Sequence, residues 1–197
     1  MRHKQGFTLL ELLIVLFVVS VLASMLFPVF ARSRESAHKL TCLSNLVQLG
    51  NALQLYAADW SGTLPPKDND WGPVDPYTRN WSVLQCPSDP EAAARQSELD
   101  SAGEELVHIA SSYVYRSGLA NDGVASEVVA FDRGIWHMGG RNVVFLDAHG
   151  AWFNAAALWQ MVPERVMGLD PVFGALTREQ QKAAREGQQI PGKLPWK

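Results

Sequence analysis

The chain has 197 residues, of which 47% are hydrophobic and 19% are charged, and its formal net charge is -3. This length fits one ordinary domain with an accessory segment. The near balance of charge excludes a basic surface that would recruit nucleic acid and an acidic disordered tail.

The N-terminus combines a basic start with a long apolar run. Arg2 and Lys4 lie in residues 1–6, and residues 7–27 contain a single charge, Glu11. As a helix this run spans about 31 Å, enough to cross a bilayer. The basic residues favour the cytoplasmic side, which predicts that the rest of the chain lies outside the cytoplasm. A secretory signal peptide or a plain anchor has similar features, but no A-x-A site follows and neither needs Glu11.

Glu11 is the distinctive residue of this run, because a carboxylate inside a membrane costs free energy and usually marks a functional position. The stretch GFTLLE from Gly6 to Glu11 resembles the processing site of type IV prepilins and type II secretion pseudopilins. The resemblance implies cleavage after Gly6 by a prepilin peptidase and N-methylation of Phe7. The new Phe7 amine would pair with Glu11 of the same chain or of a packed neighbour. Pro28 matches a helix-kinking proline of many pilins, and it removes a helix hydrogen bond in any case.

Residues 31–59 continue the helical pattern, with apolar side chains at steps of three and four. This pattern predicts an amphipathic helix that leaves the bilayer and packs against a domain, ending near Ala58. The apolar positions are Leu43, Leu46, Val47, Leu49, Leu53 and Tyr56.

Residues 65–90 form a predicted loop rich in Pro, Asp, Asn and Trp. Asp68, Asn69, Asp70 and Asp75 lie close together there, and calcium takes oxygen ligands from such loops. The spacing lacks the full EF-hand pattern, so a plain solvated loop is the alternative.

The C-terminal part predicts a short helix within residues 90–106, then a sheet. Short strands joined by tight turns favour an antiparallel sheet against the N-terminal helix, which gives an α+β fold. The strand candidates are residues 111–116, 127–131, 142–146 and 151–153, with a hairpin turn at residues 147–150. Helical segments are expected at residues 155–161 and 177–186, the second capped by Thr177, and the end of the chain is expected to be loose.

Cys42 and Cys86 are the two cysteines, and they do not have metal or redox C-x-x-C spacing. An extracytoplasmic compartment permits a disulfide, which would close a loop of about 44 residues and contribute roughly 3–4 kcal/mol. Two unrelated thiols are the alternative at this point.

His137, Asp147 and His149 are the best metal-ligand candidates, because two histidines and a carboxylate can form such a site. In the alternative, Asp147 caps the hairpin turn and Gly150 supplies a positive φ.

The spacing of His137 and Asp147 resembles the H-x9-DG element of bacterial pilin-like proteins with the DUF1559 domain. This sequence departs from that pattern at Ala148, where the pattern has glycine. The resemblance does not establish a catalytic role for either residue. The runs around Cys42 and Cys86 also look like that group, which favours a bridge between them.

Together these features predict four segments: a leader at 1–6, a transmembrane helix at 7–30, an amphipathic helix at 31–59 and an extracytoplasmic domain at 60–197. The predicted function is a pilin-like structural subunit, not an enzyme, in the bacterial inner membrane. Its expected partners are prepilin peptidase and other pilin or pseudopilin subunits, with no nucleic acid and no cofactor besides the calcium candidate.

Two alternatives stay open. One is a membrane-anchored module that binds a carbohydrate or surface polymer through Trp60, Trp71 and Trp81. The other is a metal-dependent enzyme built on His137, Asp147 and His149. The sequence leaves open whether the subunit builds a pilus, a secretion pseudopilus or a DNA-uptake filament.

Overall fold

The computed structural model describes residues 8–78, 80–92, 94, 97, 111–120, 123–154, 157–158, 160 and 175–186. The chain divides into two compact units, Met1–Ala37 and His38–Lys197. Several predicted segments lie outside the described residues. They are the leader, most of the helices expected within residues 90–106 and 155–161, and the C-terminal end.

One helix, α1, runs from Leu9 to Asp59 without interruption at Pro28. The kink expected at Pro28 stays a prediction. Within the apolar part, the Ser20 hydroxyl donates to the Leu16 carbonyl, and the Ser24 hydroxyl donates to the Val21 carbonyl at 2.7 Å. These bonds matter because a polar group in an apolar helix is costly when it has no partner.

The second unit contains a four-stranded antiparallel sheet in the order β1-β2-β3-β4. The strands are β1 Tyr113–Tyr115, β2 Val128–Asp132, β3 Gly140–Phe145 and β4 Gly150–Asn154. All four were predicted from the sequence, with bounds that differ by at most two residues. The α+β architecture is therefore confirmed.

The C-terminal half of α1 packs on one face of this sheet. Its buried side chains recur at steps of three and four, which places them in one stripe; they include Cys42, Leu46, Leu49, Leu53 and Ala57. They share a core with Tyr113, Tyr115 and Val144. Gly50 lets the helix approach closely, because a Cβ on it would lie 2.7 Å from Val144 Cγ2.

The opposite face of the sheet is also covered. Val114, Phe131, Val143 and Phe145 form a second core with residues that follow β4 in the chain, namely Leu158, Leu176 and Ala184. Ala184 belongs to α3, Arg178–Arg185, and the short α2 spans Asp75–Thr78. Thr177 caps α3 through a capping box with Gln180, as the sequence predicted for Thr177. Burial of β3 on both faces follows from this second layer.

Candidate functional site

The start of α1 is held by a hydrogen-bond exchange between Thr8 and Glu11. The Glu11 carboxylate accepts from the Thr8 backbone N–H at 2.9 Å and from the Thr8 hydroxyl at 2.8 Å. In return, the Glu11 backbone N–H donates to the Thr8 hydroxyl oxygen at 3.2 Å. This is a capping box, which satisfies backbone donors at a helix start that have no partner within the helix.

Thr8 is a residue that the sequence interpretation missed, although the T-x-x-E signature for it is visible in the stretch Thr8 to Glu11. Glu11 therefore has a partner within its own chain. Gly6 and Phe7 lie outside the described residues. The pairing of Glu11 with a Phe7 amine stays a prediction.

The apolar part of α1 is exposed around its whole circumference. Large hydrophobic side chains from Leu9 to Phe30 are each at least 40% exposed, among them Leu13, Phe17 and Phe27. By length and composition alone, α1 is long and apolar enough to cross a membrane. The core helix of a soluble protein or a signal sequence can meet the same two criteria. Contiguous apolar surface of this kind marks a membrane or protein interface.

The acidic loop before α2 binds the edge of the sheet. Asp68 Oδ1 accepts from the Ser117 N–H at 2.8 Å, and Asn69 Oδ1 accepts from the Tyr115 N–H at 3.0 Å. The Asn69 N–H also donates to the Tyr115 carbonyl at 3.0 Å. These bonds cover β1, whose outer backbone groups would otherwise be open to another chain.

The other two candidate calcium ligands, Asp70 and Asp75, take part in local structure around α2. Asp70 Oδ1 accepts from the Gly72 N–H at 3.2 Å, and Asp75 begins α2. In the part of the chain that the structure describes, Asp68, Asp70 and Asp75 do not form a group whose ligand atoms all lie within 4.8 Å of one another. Calcium binding by this loop stays a prediction without support from the geometry.

The three tryptophans named for a binding surface lie in different environments. Trp71 is 1% exposed and packs against Tyr115 in the core, and Trp81 is partly buried against the same core. Trp60 is 58% exposed and stacks on Tyr56 with ring centroids 5.4 Å apart. The prediction of a joint surface is therefore wrong for Trp71, because its indole fills the space between the loop and the sheet.

The hairpin turn after β3 is built on Asp147. Asp147 Oδ1 accepts from the His149 N–H at 3.1 Å, and that bond holds the pKa of Asp147 below its usual range. The positive φ falls on Ala148, at 64°, and not on Gly150 as the sequence predicted. Gly150 instead allows close approach, since a Cβ there would lie 2.7 Å from Leu43 Cδ1.

The histidines of the proposed metal site lie apart. His149 is exposed, bonded through its ring to Asp147 and stacked on Phe145, whereas His137 is fully buried. Among the described residues, His137, Asp147 and His149 do not form a group of ligand atoms within 4.8 Å. A metal site on these residues, the alternative to a turn capped by Asp147, would need the three side chains to converge. They do not, because the hairpin turns Asp147 and His149 toward solvent, while His137 points into the core.

His137 belongs to a different cluster, next to a disulfide between Cys42 and Cys86. His137 Nε2 lies 3.3 Å from Cys86 Sγ and 3.5 Å from Asp132 Oδ2. All of these side chains are fully buried. The role of Asp132 could not be recognised from the sequence, because Asp132 stands in an apolar strand without a motif.

Asp132 is the ionisable group at the centre of this cluster. Its Oδ2 accepts from the Asn142 N–H at 2.6 Å, and the fully buried Arg141 guanidinium attracts it. Burial nevertheless raises the pKa of Asp132 to about 8, while the Asn142 hydrogen bond and Arg141 oppose that rise. Asn142 Nδ2 also donates to the Lys39 carbonyl at 3.1 Å, which ties the cluster to α1.

Known proteins resemble this chain at its N-terminus and beyond it. The family model for the prokaryotic N-terminal methylation motif matches residues 1–27. The type II secretion system core protein G of Vibrio cholerae serotype O1 is 31% identical over 99 residues, which are 46% of this chain and 67% of that protein. Those of Dickeya chrysanthemi and Klebsiella pneumoniae are 32% and 30% identical over 48% and 46% of this chain, covering 68% and 71% of their own lengths. No solved structure matches the chain.

Proposed function

The chain belongs to the family of type II secretion system core protein G and is a pseudopilin subunit; from this premise we propose how it is processed and assembled. The precursor is cleaved after Gly6 by prepilin peptidase, Phe7 is N-methylated, and the mature subunits join a secretion pseudopilus through α1. The role is structural and involves no catalysis. The observation that carries this proposal is the helix surface from Leu9 to Phe30, apolar all round, with Glu11 as its one charge.

The exposed helix needs an apolar environment before and after assembly. In the bacterial inner membrane, lipid covers the side chains, and the domain from His38 onward lies outside the cytoplasm. In the filament, the same side chains pack against neighbouring α1 helices. Dispersion contacts between close-packed helices replace contacts with lipid, so the apolar surface is covered in both states.

Glu11 has two roles to fill in this scheme. In the precursor it caps the helix through Thr8, and after cleavage it pairs with the Phe7 ammonium of its own chain or of a neighbour. A pair between subunits would set their axial register. The two roles need different chemistry: a cap needs only a side-chain acceptor, whereas the ion pair needs negative charge.

Two substitutions separate these roles. Glu11→Gln keeps a residue type that completes a capping box but removes the charge. Thr8→Ala removes the cap, at a cost of about 0.5–2 kcal/mol to the helix start, and leaves the charge. Ser24→Ala is the matched control, because it removes a hydroxyl that bonds only to a carbonyl of its own helix.

The readout is the amount of sheared filament in cells that express each variant, normalised to the subunit in the membrane. We expect Glu11→Gln to lower filament yield at least about tenfold, which needs a loss of only about 1.4 kcal/mol. Thr8→Ala should lower it less, and Ser24→Ala should not change it. Normal assembly of Glu11→Gln together with loss in Thr8→Ala would show that Glu11 serves only as a cap.

Processing is tested directly by intact-mass and N-terminal peptide mass spectrometry of protein from native membranes. The expected mature chain begins with N-methyl-Phe7. A chain that still begins at Met1 would refute processing, and a start beyond residue 20 would indicate an ordinary secretory signal.

A binding role for the domain remains as a second candidate on one observation, the exposed Trp60 ring stacked on Tyr56. Exposed aromatic faces suit sugar rings or a surface polymer. If Trp60→Ala abolishes secretion of a cargo without reducing filament yield, that result would favour this role.

A further inference from the structure

We propose that, once its disulfide is reduced, this chain binds one zinc ion through Cys42, Cys86 and His137, with Asp132 as the fourth ligand. The inference does not depend on the proposed function. It rests on three ligand atoms, the two Sγ atoms and His137 Nε2, which all lie within 4.8 Å of one another. Two thiolates, an imidazole and a carboxylate form a donor set that zinc prefers.

The distances already approach those of a tetrahedral site. Zinc–sulfur bonds of about 2.3 Å and zinc–nitrogen bonds of about 2.0 Å place ligand atoms about 3.3–3.8 Å apart. Cys86 Sγ and His137 Nε2 are 3.3 Å apart, and Asp132 Oδ2 lies 3.5 Å from the same nitrogen. Binding requires the two sulfur atoms to separate, which reduction of their bond permits. The Asp132 carboxylate must also move toward them, because it lies outside the group of ligand atoms within 4.8 Å of one another.

Four separate parts of the fold hold the ligands in place. Cys42 lies on α1, Cys86 follows the short helix at Trp81–Leu84, Asp132 ends β2 and His137 precedes β3. The His137 backbone is fixed because its carbonyl accepts from the Trp152 Nε1–H at 3.1 Å and from the Gly140 N–H at 3.0 Å. The folded domain therefore preorganises the site, which lowers the entropy lost on binding.

The charges balance in the bound state. Zinc carries two positive charges and the thiolates carry two negative ones. The Asp132 carboxylate is then balanced by the Arg141 guanidinium, which is fully buried beside it. Neutrality matters because an uncompensated charge in a buried site is very costly. Asp132 Oδ1 has no hydrogen-bond partner among the described residues, so the carboxylate has acceptor capacity to spare.

The chemistry requires a reductant, and a dithiol supplies it. The dithiol transfers two electrons and two protons to the Cys42–Cys86 bond, which leaves two thiols and a disulfide on the reductant. Zinc then displaces both thiol protons to solvent. A pocket of about 490 Å³ lined by Thr41, Asn45, Gln85 and Cys86 offers a route for the ion.

The test uses the full-length chain in detergent micelles with cobalt(II) as a spectroscopic probe for zinc. A phosphine reduces the disulfide without adding thiols, because it takes up the oxygen of a water molecule. We expect the reduced protein to bind one cobalt ion with thiolate charge-transfer absorption and tetrahedral ligand-field bands. Zinc should bleach these bands, and the disulfide form should show none. Reduced protein without these bands would refute the proposal.

Variants then assign the ligands. His137→Gln should weaken zinc binding at least about tenfold, whereas His149→Gln, the exposed histidine nearby in sequence, should leave it unchanged. Equal affinity in His137→Gln and the wild type would overturn the assignment. X-ray absorption of the zinc-loaded wild type needs no variant: two sulfur and two nitrogen or oxygen neighbours are expected. Four sulfur neighbours would mean a site between two chains and would refute the single-chain site.

Discussion

Removal of the Cys42–Cys86 disulfide should strongly destabilise the second unit. The bond joins residues 44 positions apart, with 5.3 Å between their Cα atoms, and so ties α1 to the loop before β1. In the chain-entropy model, a loop of this length restricts the unfolded chain by about 13 cal/mol/K, or about 4 kcal/mol at 25 °C. Typical domains are stable by only about 5–15 kcal/mol, so this is a large fraction of the total.

Urea unfolding of the full-length chain in micelles measures the effect, with tryptophan fluorescence as the readout because Trp71 is buried. Reduction of the wild type in the presence of a chelator should lower the unfolding free energy by about 4 kcal/mol. Cys42→Ala with Cys86→Ala should cost about 1–2 kcal/mol more, because two buried sulfur atoms, each of about methylene size, are also lost.

A loss below about 1 kcal/mol on reduction would refute the entropic reasoning. An altered urea dependence would point to residual structure in the unfolded chain instead. Zinc added to the reduced wild type should restore part of the stability, and it should not do so in the double variant.

Three further predictions concern packing, electrostatics and capping. Gly50→Leu should destabilise the domain by about 1–3 kcal/mol in the same unfolding assay, because the side chain meets Val144, and Gln48→Leu on the exposed face is the control. A carbon NMR titration should give Asp147 a midpoint below about 3.9; its lowered pKa means that its stabilising contribution is present above that value and is lost as pH falls through the midpoint. A normal midpoint would contradict the His149 N–H bond. Thr177→Ala should cost about 1 kcal/mol of unfolding free energy by loss of the α3 cap, and no change would show that α3 contributes little to the fold.

Much of the fold was predictable because its signals are local. Apolar, β-branched runs around Val128 and Val143 and the turn before Gly150 defined these strands to within two residues. The stripe containing Leu46, Leu49 and Leu53 correctly predicted the buried face of α1. The second core, around Leu158 and Leu176, was not foreseen, because short segments reveal too little of what they pack against.

The candidate sites were less predictable than the fold, because most of their contacts join residues that are distant in sequence. Asp147 was predicted to cap its turn, and it does, since that interaction spans only two residues. The positive φ at Ala148 was missed, because glycine is the usual residue there and this sequence departs from that pattern. Thr8 was missed although its capping signature is contiguous in the sequence.

The N-terminal helix and the resemblance to pseudopilins could be inferred from sequence, because the charge pattern, the apolar run and the processing motif each lie in neighbouring residues. Which side chains meet across long separations in sequence became known only from the folded structure. It set His137 beside Cys86, packed the buried Trp71 against Tyr115 and made Gly150 a point of close approach to Leu43. These contacts depend on how α1 and the sheet pack, and residues more than 40 positions apart, such as Cys42 and Cys86, carry no local signal of that packing.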